Sequence, residues 1–206
     1  MTIKYSIPNG RFIMRNGNLT KHKVITEALL VFHEKGYHST SMQDIVHRCG
    51  VAKGNLYFHF TSKEDLAMKS LREGLKLYGA YIAERTDKSS AKNEIISVIK
   101  AVVSYHSENG IHRGCLFGNM ALELGNSHGA ISSFLQKIFT RWQFYLSSLF
   151  MEAKTKGEIR SSLSAENFSL IVITQLEGAI MLSKLYNSID PLSEAARLLI
   201  SLLEEQ

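Results

Sequence analysis

An all-α fold is predicted for this chain, and three features of the sequence predict it. Apolar residues recur at helical spacing along nearly its whole length, strand-type alternation is almost missing, and proline is confined to Pro8 and Pro191. The organisation expected is a flexible N-terminal arm over 1–18, a three-helix helix-turn-helix domain over 19–66, and a larger helical domain over 67–206.

Each element has its own signal. Residues 1–18 mix asparagine, glycine and a few cations around Tyr5, Ile7, Phe12 and Ile13, a composition that suits a loosely ordered terminus. Thr20 is expected to cap a first helix carrying Val24, Ile25, Ala28, Leu29 and Phe32, and Gly36 to end it in the left-handed conformation. Thr40 followed by Gln43 reads as a capping box for the second helix, and Ser62 followed by Asp65 as one for the fourth, which runs toward Arg85. A fifth helix is expected from Ala91 to Glu108 and a sixth from Leu116 to Leu124, each stopped by a Gly/Asn pair. The seventh, from Ala130 to about Lys156, carries the stripe Ile131, Phe134, Leu135, Ile138, Trp142, Tyr145 and Leu149. The eighth follows Ser164 and holds a near-continuous apolar run from Leu170 to Leu182; the ninth opens at Asp190-Pro191.

The stretch around Gly50 carries the chemistry. Ile45, Val46, Cys49, Val51, Leu56 and Phe60 pack two short helices across a tight turn, which leaves the outer face of the second to Lys53, Gly54, Asn55, Tyr57 and His59. A cation, a glycine that permits close approach, an amide and two aromatic hydrogen-bonders suit phosphates and base edges. Charge agrees. Up to Leu66 there are nine Lys and Arg against five Asp and Glu, while the remainder has fifteen against fourteen, so most of the net +5 sits with the helix-turn-helix. Five of the eight histidines lie there too.

Thr20-Lys21, Ala28, Phe32, Gly36-Tyr37, Thr40-Ser41-Met42, Asp44-Ile45, Gly50-Val51, Lys53-Gly54, Leu56-Tyr57, His59-Phe60 and Ser62-Lys63-Glu64 together resemble the TetR family of bacterial transcriptional regulators. The resemblance implies an all-helical homodimer whose C-terminal domain serves dimerisation and effector binding. It places Thr20, Thr40, Ser41, Lys53, Gly54, Asn55, Tyr57, Phe58, His59 and Lys63 at the DNA. Two positions depart from the family pattern. Ala52 stands where a Ser or Thr usually caps the recognition helix, and Phe58 stands where a tyrosine hydroxyl often meets the backbone.

In the larger domain, Gly114-Cys115-Leu116-Phe117-Gly118-Asn119 followed by Leu122-Glu123-Leu124 is similar to a phrase that borders the effector cavity in several such regulators. His106, Phe117, Met120, Phe134, Trp142, Tyr145, Gln175 and Glu177 are the expected effector-binding set. Glu177 stands inside the most apolar run and needs solvent, a cation such as Lys184 or Arg141, or a ligand. That run, with Gly178 and Ala179, predicts a helical dimer interface through Leu170, Thr174, Gly178, Met181, Leu198 and Leu202.

No cofactor and no metal site is expected. His112 and Cys115 form a lone pair without a matching second one, and Cys49 and Cys115 read as reduced, buried thiols. No nucleophile elbow, phosphate loop or catalytic carboxylate pair marks an enzyme. No segment is expected to reach the length of a membrane span, and a cytoplasmic location follows from that reading. The function expected is a repressor released from a palindromic double-stranded DNA operator by a small apolar or aromatic effector. The alternative is a DNA-binding protein that works through a protein partner.

Overall fold

The computed structural model describes residues 17–127 and 129–204, with side chains from residue 21 onward apart from 128. Among them run α1 (Gly17–Lys35), α2 (Met42–Cys49), α3 (Lys53–His59), α4 (Lys63–Arg85), α5 (Ala91–Asn109), α6 (Leu116–Leu124), α7 (Ala130–Thr155), α8 (Ala165–Tyr186) and α9 (Asp190–Glu204). A 3₁₀ turn, Ile111–Arg113, joins α5 to α6. No described residue is in a strand.

Caps decide most of the helix starts. The α2 capping box lies one residue beyond the expected pair. Ser41 Oγ accepts from Asp44 N–H at 3.1 Å, and the Asp44 carboxylate accepts from Ser41 N–H at 2.8 Å. Asp44 wins because Lys35 Nζ also reaches it, at 2.8 Å; with Ser41 this holds its carboxyl well below the usual range. Thr40 is buried instead, its hydroxyl donating to Gly36 O at 2.6 Å. Thr20 is not a cap either. The helix begins at Gly17, which puts Thr20 in its first turn, and its side chain lies outside the described residues. The N-terminal arm expected over 1–18 also lies outside them up to residue 16. Ser62, Ser90 and Ser164 cap α4, α5 and α8 through their hydroxyls.

Apolar burial joins the helices. Ala28, Phe32, Ile45, Leu56, Phe60 and Leu66 fill the space among α1, α2, α3 and the start of α4. The same cluster continues into the larger bundle, where α1 lies on α4, α5 on α4 and α7, and α8 between α7 and α9. Gly74 is the close crossing, because a Cβ there would stand 2.9 Å from Leu116 and 3.0 Å from Leu29. Phe150 and Phe168 stack at 4.0 Å between α7 and α8. Contrary to expectation, one described helix does have the length and hydropathy to cross a membrane: α8, at mean hydropathy 1.4. Its apolar residues are divided between an inward row (Phe168, Val172, Leu176, Ile180) and an outward one (Leu170, Ile171, Met181, Leu185). Burial inside the bundle accounts for the first row.

Polar groups are buried where the two parts meet. His33 of α1 donates to Gly114 O at 2.9 Å, and His106 of α5 lies buried nearby. Burial lowers both rings from the ordinary 6.5 to about 4, with Arg113 adding to the effect on His33 and His33 adding to that on His106. Both are therefore neutral in the fold, while the unfolded chain protonates them near 6.5. Stability should be full above that value and should fall as pH drops toward about 4, because the unfolded state binds more protons across this window. Thermal melts over that range should show a falling midpoint, flattened in His106→Gln; an unchanged midpoint would overturn the assignment.

Candidate nucleic-acid interface and internal cavity

The short α3 turns Leu56 inward with the flanking Phe60, both fully buried, and everything else faces out or partly out. Lys53, Gly54, Asn55, Tyr57 and Phe58 are exposed, Phe58 at 84% and Tyr57 at 46%. His59 is half-buried, its ring edge-on to Phe58 at 5.0 Å. Lys53 Nζ sits 5.9 Å from the Tyr57 ring centroid, so the cation rides beside that ring along one face. A Cβ added at Gly54 would meet nothing within 4 Å. Ser41 is exposed at the start of α2, whereas Thr40 is buried behind it. The Ala52 cap position makes no side-chain hydrogen bond.

Lys63 is engaged within the chain. Its ammonium donates to Tyr37 O and Thr40 O, both at 3.0 Å, and lies 4.3 Å from the Tyr37 ring centroid. The same turn is gripped from the other side by Glu123 at the end of α6. Its carboxylate accepts from Tyr37 N–H at 3.1 Å and His38 N–H at 2.8 Å. Gly36, at φ 80°, makes room, since a side chain there would overlap that carboxylate. Arg113 adds an ion pair to Glu34 at 3.4 Å. Neither Glu123 nor Arg113 stood among the expected functional residues. A lone carboxylate near a helix end reads as solvated unless the turn it meets is known.

A cavity of about 300 Å³ opens between α4, α5, α7 and α8, with apolar walls such as Ile82, Val102, Leu146 and Val172. Four of the eight expected residues line it: His106, Trp142, Tyr145 and Glu177. The other four do not. Phe117 and Met120 are buried in the core, Phe117 edge-on behind Trp142 at 5.6 Å. Phe134 lies two turns up α7 from Trp142, under the Arg72 guanidinium at 5.2 Å. Gln175 is exposed, because two residues along a helix from Glu177 is more than half a turn away. Tyr78 of α4 also lines the cavity and was not anticipated.

Within it, Tyr145 donates to Glu94 at 2.6 Å. Burial raises the Glu177 carboxyl above its ordinary value; the Cys115 thiol, its hydrogen-bond partner, is pushed well up by burial and by Glu177. Cys115 also caps α6, its sulfur accepting from Gly118 N–H at 3.3 Å. Neither Lys184 nor Arg141 pairs with Glu177 among the described residues. On the far side of α8 and α9, Leu170, Thr174, Gly178, Met181, Leu198 and Leu202 are all exposed.

Two family models match this chain: the bacterial regulatory proteins of the tetR family over residues 24–68, and the tetracyclin repressor-like C-terminal domain over 91–199. The HTH-type transcriptional repressor DhaR of Mycobacterium sp. (strain GP1) is 27% identical over 177 residues, 84% of this chain and 87% of that protein. The transcriptional regulator AcuR of Cereibacter sphaeroides is 26% identical over 188 residues, 88% of this chain and 84% of that one. A TetR transcriptional regulator from Chloroflexus aurantiacus superposes with a TM-score of 0.84 at 26% identity, covering 94% and 98% of the two chains. The chain belongs to the TetR family. It is a DNA-binding transcriptional regulator and not an enzyme.

The uncapped α3 gives a direct test. Ala52→Ser supplies the missing hydroxyl at an extended residue, φ −65° and ψ 139°, the geometry a cap needs. It should raise stability by about 1 kcal/mol in denaturant unfolding; no gain would mean the α3 start is already satisfied by water.

Proposed function

We propose that this regulator is a homodimeric repressor, released from a palindromic operator when a small apolar or aromatic molecule fills the cavity. The observation that carries this reading is the position of α6. Its first turn is capped by Cys115, a cavity residue bonded to Glu177, and its last turn holds the α1–α2 turn through Glu123. Nine residues of helix, roughly 13 Å, link the two ends.

The DNA face comprises Lys53, Gly54, Asn55, Tyr57, Phe58 and His59, with Ser41 at the phosphates. The room around Gly54 supports it. A glycine inside a helix costs about 1 kcal/mol against alanine, and nothing among the described residues requires one there. Thr40 and Lys63 act in this reading as supports of the turn, Lys63 with one N–H left for a phosphate. The partner interface is the exposed apolar face of α8 and α9. Gly178 has the same open surroundings as Gly54, which suits a helix approaching from a second copy.

Selection from random DNA followed by anisotropy at several salt concentrations tests the DNA reading. A palindrome should emerge, with binding weakened by about 1–3 kcal/mol in Tyr57→Ala and the salt slope reduced by about one in Lys53→Ala. Flat, weak binding unchanged by both would refute it. For the dimer, light scattering should give twice the 23.2 kDa chain mass. Met181→Asp combined with Leu202→Asp should bring it to the single-chain mass; a monomeric parent protein would sink the interface.

A further inference from the structure

We propose that the cavity selects a cationic ligand: a small apolar or aromatic molecule carrying a protonated nitrogen, seated with that nitrogen at Glu177 and its hydrocarbon among Tyr78, Trp142 and the aliphatic walls. This deepens the effector reading and rests on it.

The polar groups of the wall are asymmetric. Among the described residues, Glu177 is the one carboxylate lining the cavity, and Lys88, exposed on the loop after α4, is the one lysine or arginine. His106 is buried and neutral, so it brings no charge. The Tyr145 hydroxyl has spent its proton on Glu94 and retains only lone pairs for anything in the cavity. Glu177 is held against the backbone of Gly118, where any side chain would overlap it. Cys115 gives it one weak donor, and among the described residues no ion pair reaches it.

A carboxylate offers about four lone-pair sites, so most of its acceptor capacity is left to whatever fills the cavity. A neutral molecule would fill part of it and leave the charge facing hydrocarbon. An ammonium or amidinium group supplies several donors and cancels the charge in the same step. An anion would lose its hydration opposite Glu177, with only the solvent-exposed Lys88 to offset it. The rings add to the preference. Tyr78 and Trp142 both line the cavity, and aromatic rings attract a cation that has left water.

Trp142 is the chain's only tryptophan, so its emission reports occupancy of this cavity. The test titrates the full-length protein with three probes of nearly equal shape: phenylbutylamine as its ammonium, phenylbutanol, and phenylbutyrate. The ammonium should bind about tenfold or more tighter than the alcohol, with the carboxylate weakest. Glu177→Gln should bring the ammonium to the level of the alcohol and leave the alcohol unchanged. Glu177→Asp, which keeps the charge, should retain part of the preference and so separates loss of charge from loss of fold. Equal binding of ammonium and alcohol, or an ammonium preference that survives Glu177→Gln, would overturn cation selectivity while leaving the cavity as a ligand site. If none of the three moves Trp142 emission, both this inference and the effector reading fail.

Discussion

Five residues of backbone, Gly36 to Thr40, carry the geometric constraint on which the surface proposed to face DNA depends. This turn lies outside both flanking helices, so its amides and carbonyls need partners from elsewhere. The Glu123 carboxylate accepts from two of its N–H groups and the Lys63 ammonium donates to two of its carbonyls. Charged groups make stronger bonds than neutral ones, about 1.5–3 kcal/mol each. The turn sets the angle between α1 and α2, and α2 positions α3 across Gly50 at φ 63°. The direction in which Lys53 and Tyr57 point is thereby tied to a carboxylate more than sixty residues later in the chain.

Local signals made the fold legible. Helix periodicity and the Ser and Gly boundaries placed α4 to α7 and the starts of α8 and α9 within a residue or two, because caps and breakers act on their own neighbours. The exposed face of α3 was legible for the same reason: a seven-residue helix with one buried position has little choice of face. Errors arose where competing local partners or distant elements decide. Thr40 reads as the cap of α2, but Lys35, reaching Asp44 from α1, favours Ser41 in its place. Periodicity likewise identified the aromatic stripe of α7 but not which of its turns meets a void. Trp142 and Tyr145 line the cavity while Phe134, on the same stripe, covers Arg72. Tyr78 escaped notice because α4 reads as a connector, although it forms one wall.

Glycines sharpen the distinction between residues that serve the fold and residues that serve something outside it. Gly74 and Gly118 are needed inside: side chains there would strike Leu29 and Leu116, or the Glu177 carboxylate. Gly54, Gly79 and Gly178 also sit within helices, yet a Cβ at any of them would meet nothing. Each costs helix stability, about 1 kcal/mol, with no return from packing among the described residues. They stand on α3, on the cavity wall and on the outer face of α8, the three surfaces assigned to DNA, ligand and a second copy. Three independent costs at three proposed contacts are easier to account for together than one by one.

In the proposed mechanism one hold on the turn belongs to a helix that builds the cavity, and the other to a helix whose cap lines it. Lys63 begins α4, and Tyr78 lies fifteen residues on, roughly 22 Å along the same rod. Glu123 ends α6, whose cap, Cys115, touches Glu177. A ligand that prefers one spacing of α4 and α8 therefore displaces the Lys63 hold relative to the Glu123 hold, and the turn cannot satisfy both unchanged. The coupling is limited to the free energy by which the ligand prefers the shifted state, and DNA must disfavour that state equally. Charge at Glu177 matters to this balance. Neutralising a carboxylate that leans on the start of α6 alters the contact at one end of the rod whose other end holds the turn, so the chemistry of recognition and the geometry of release act on the same helix.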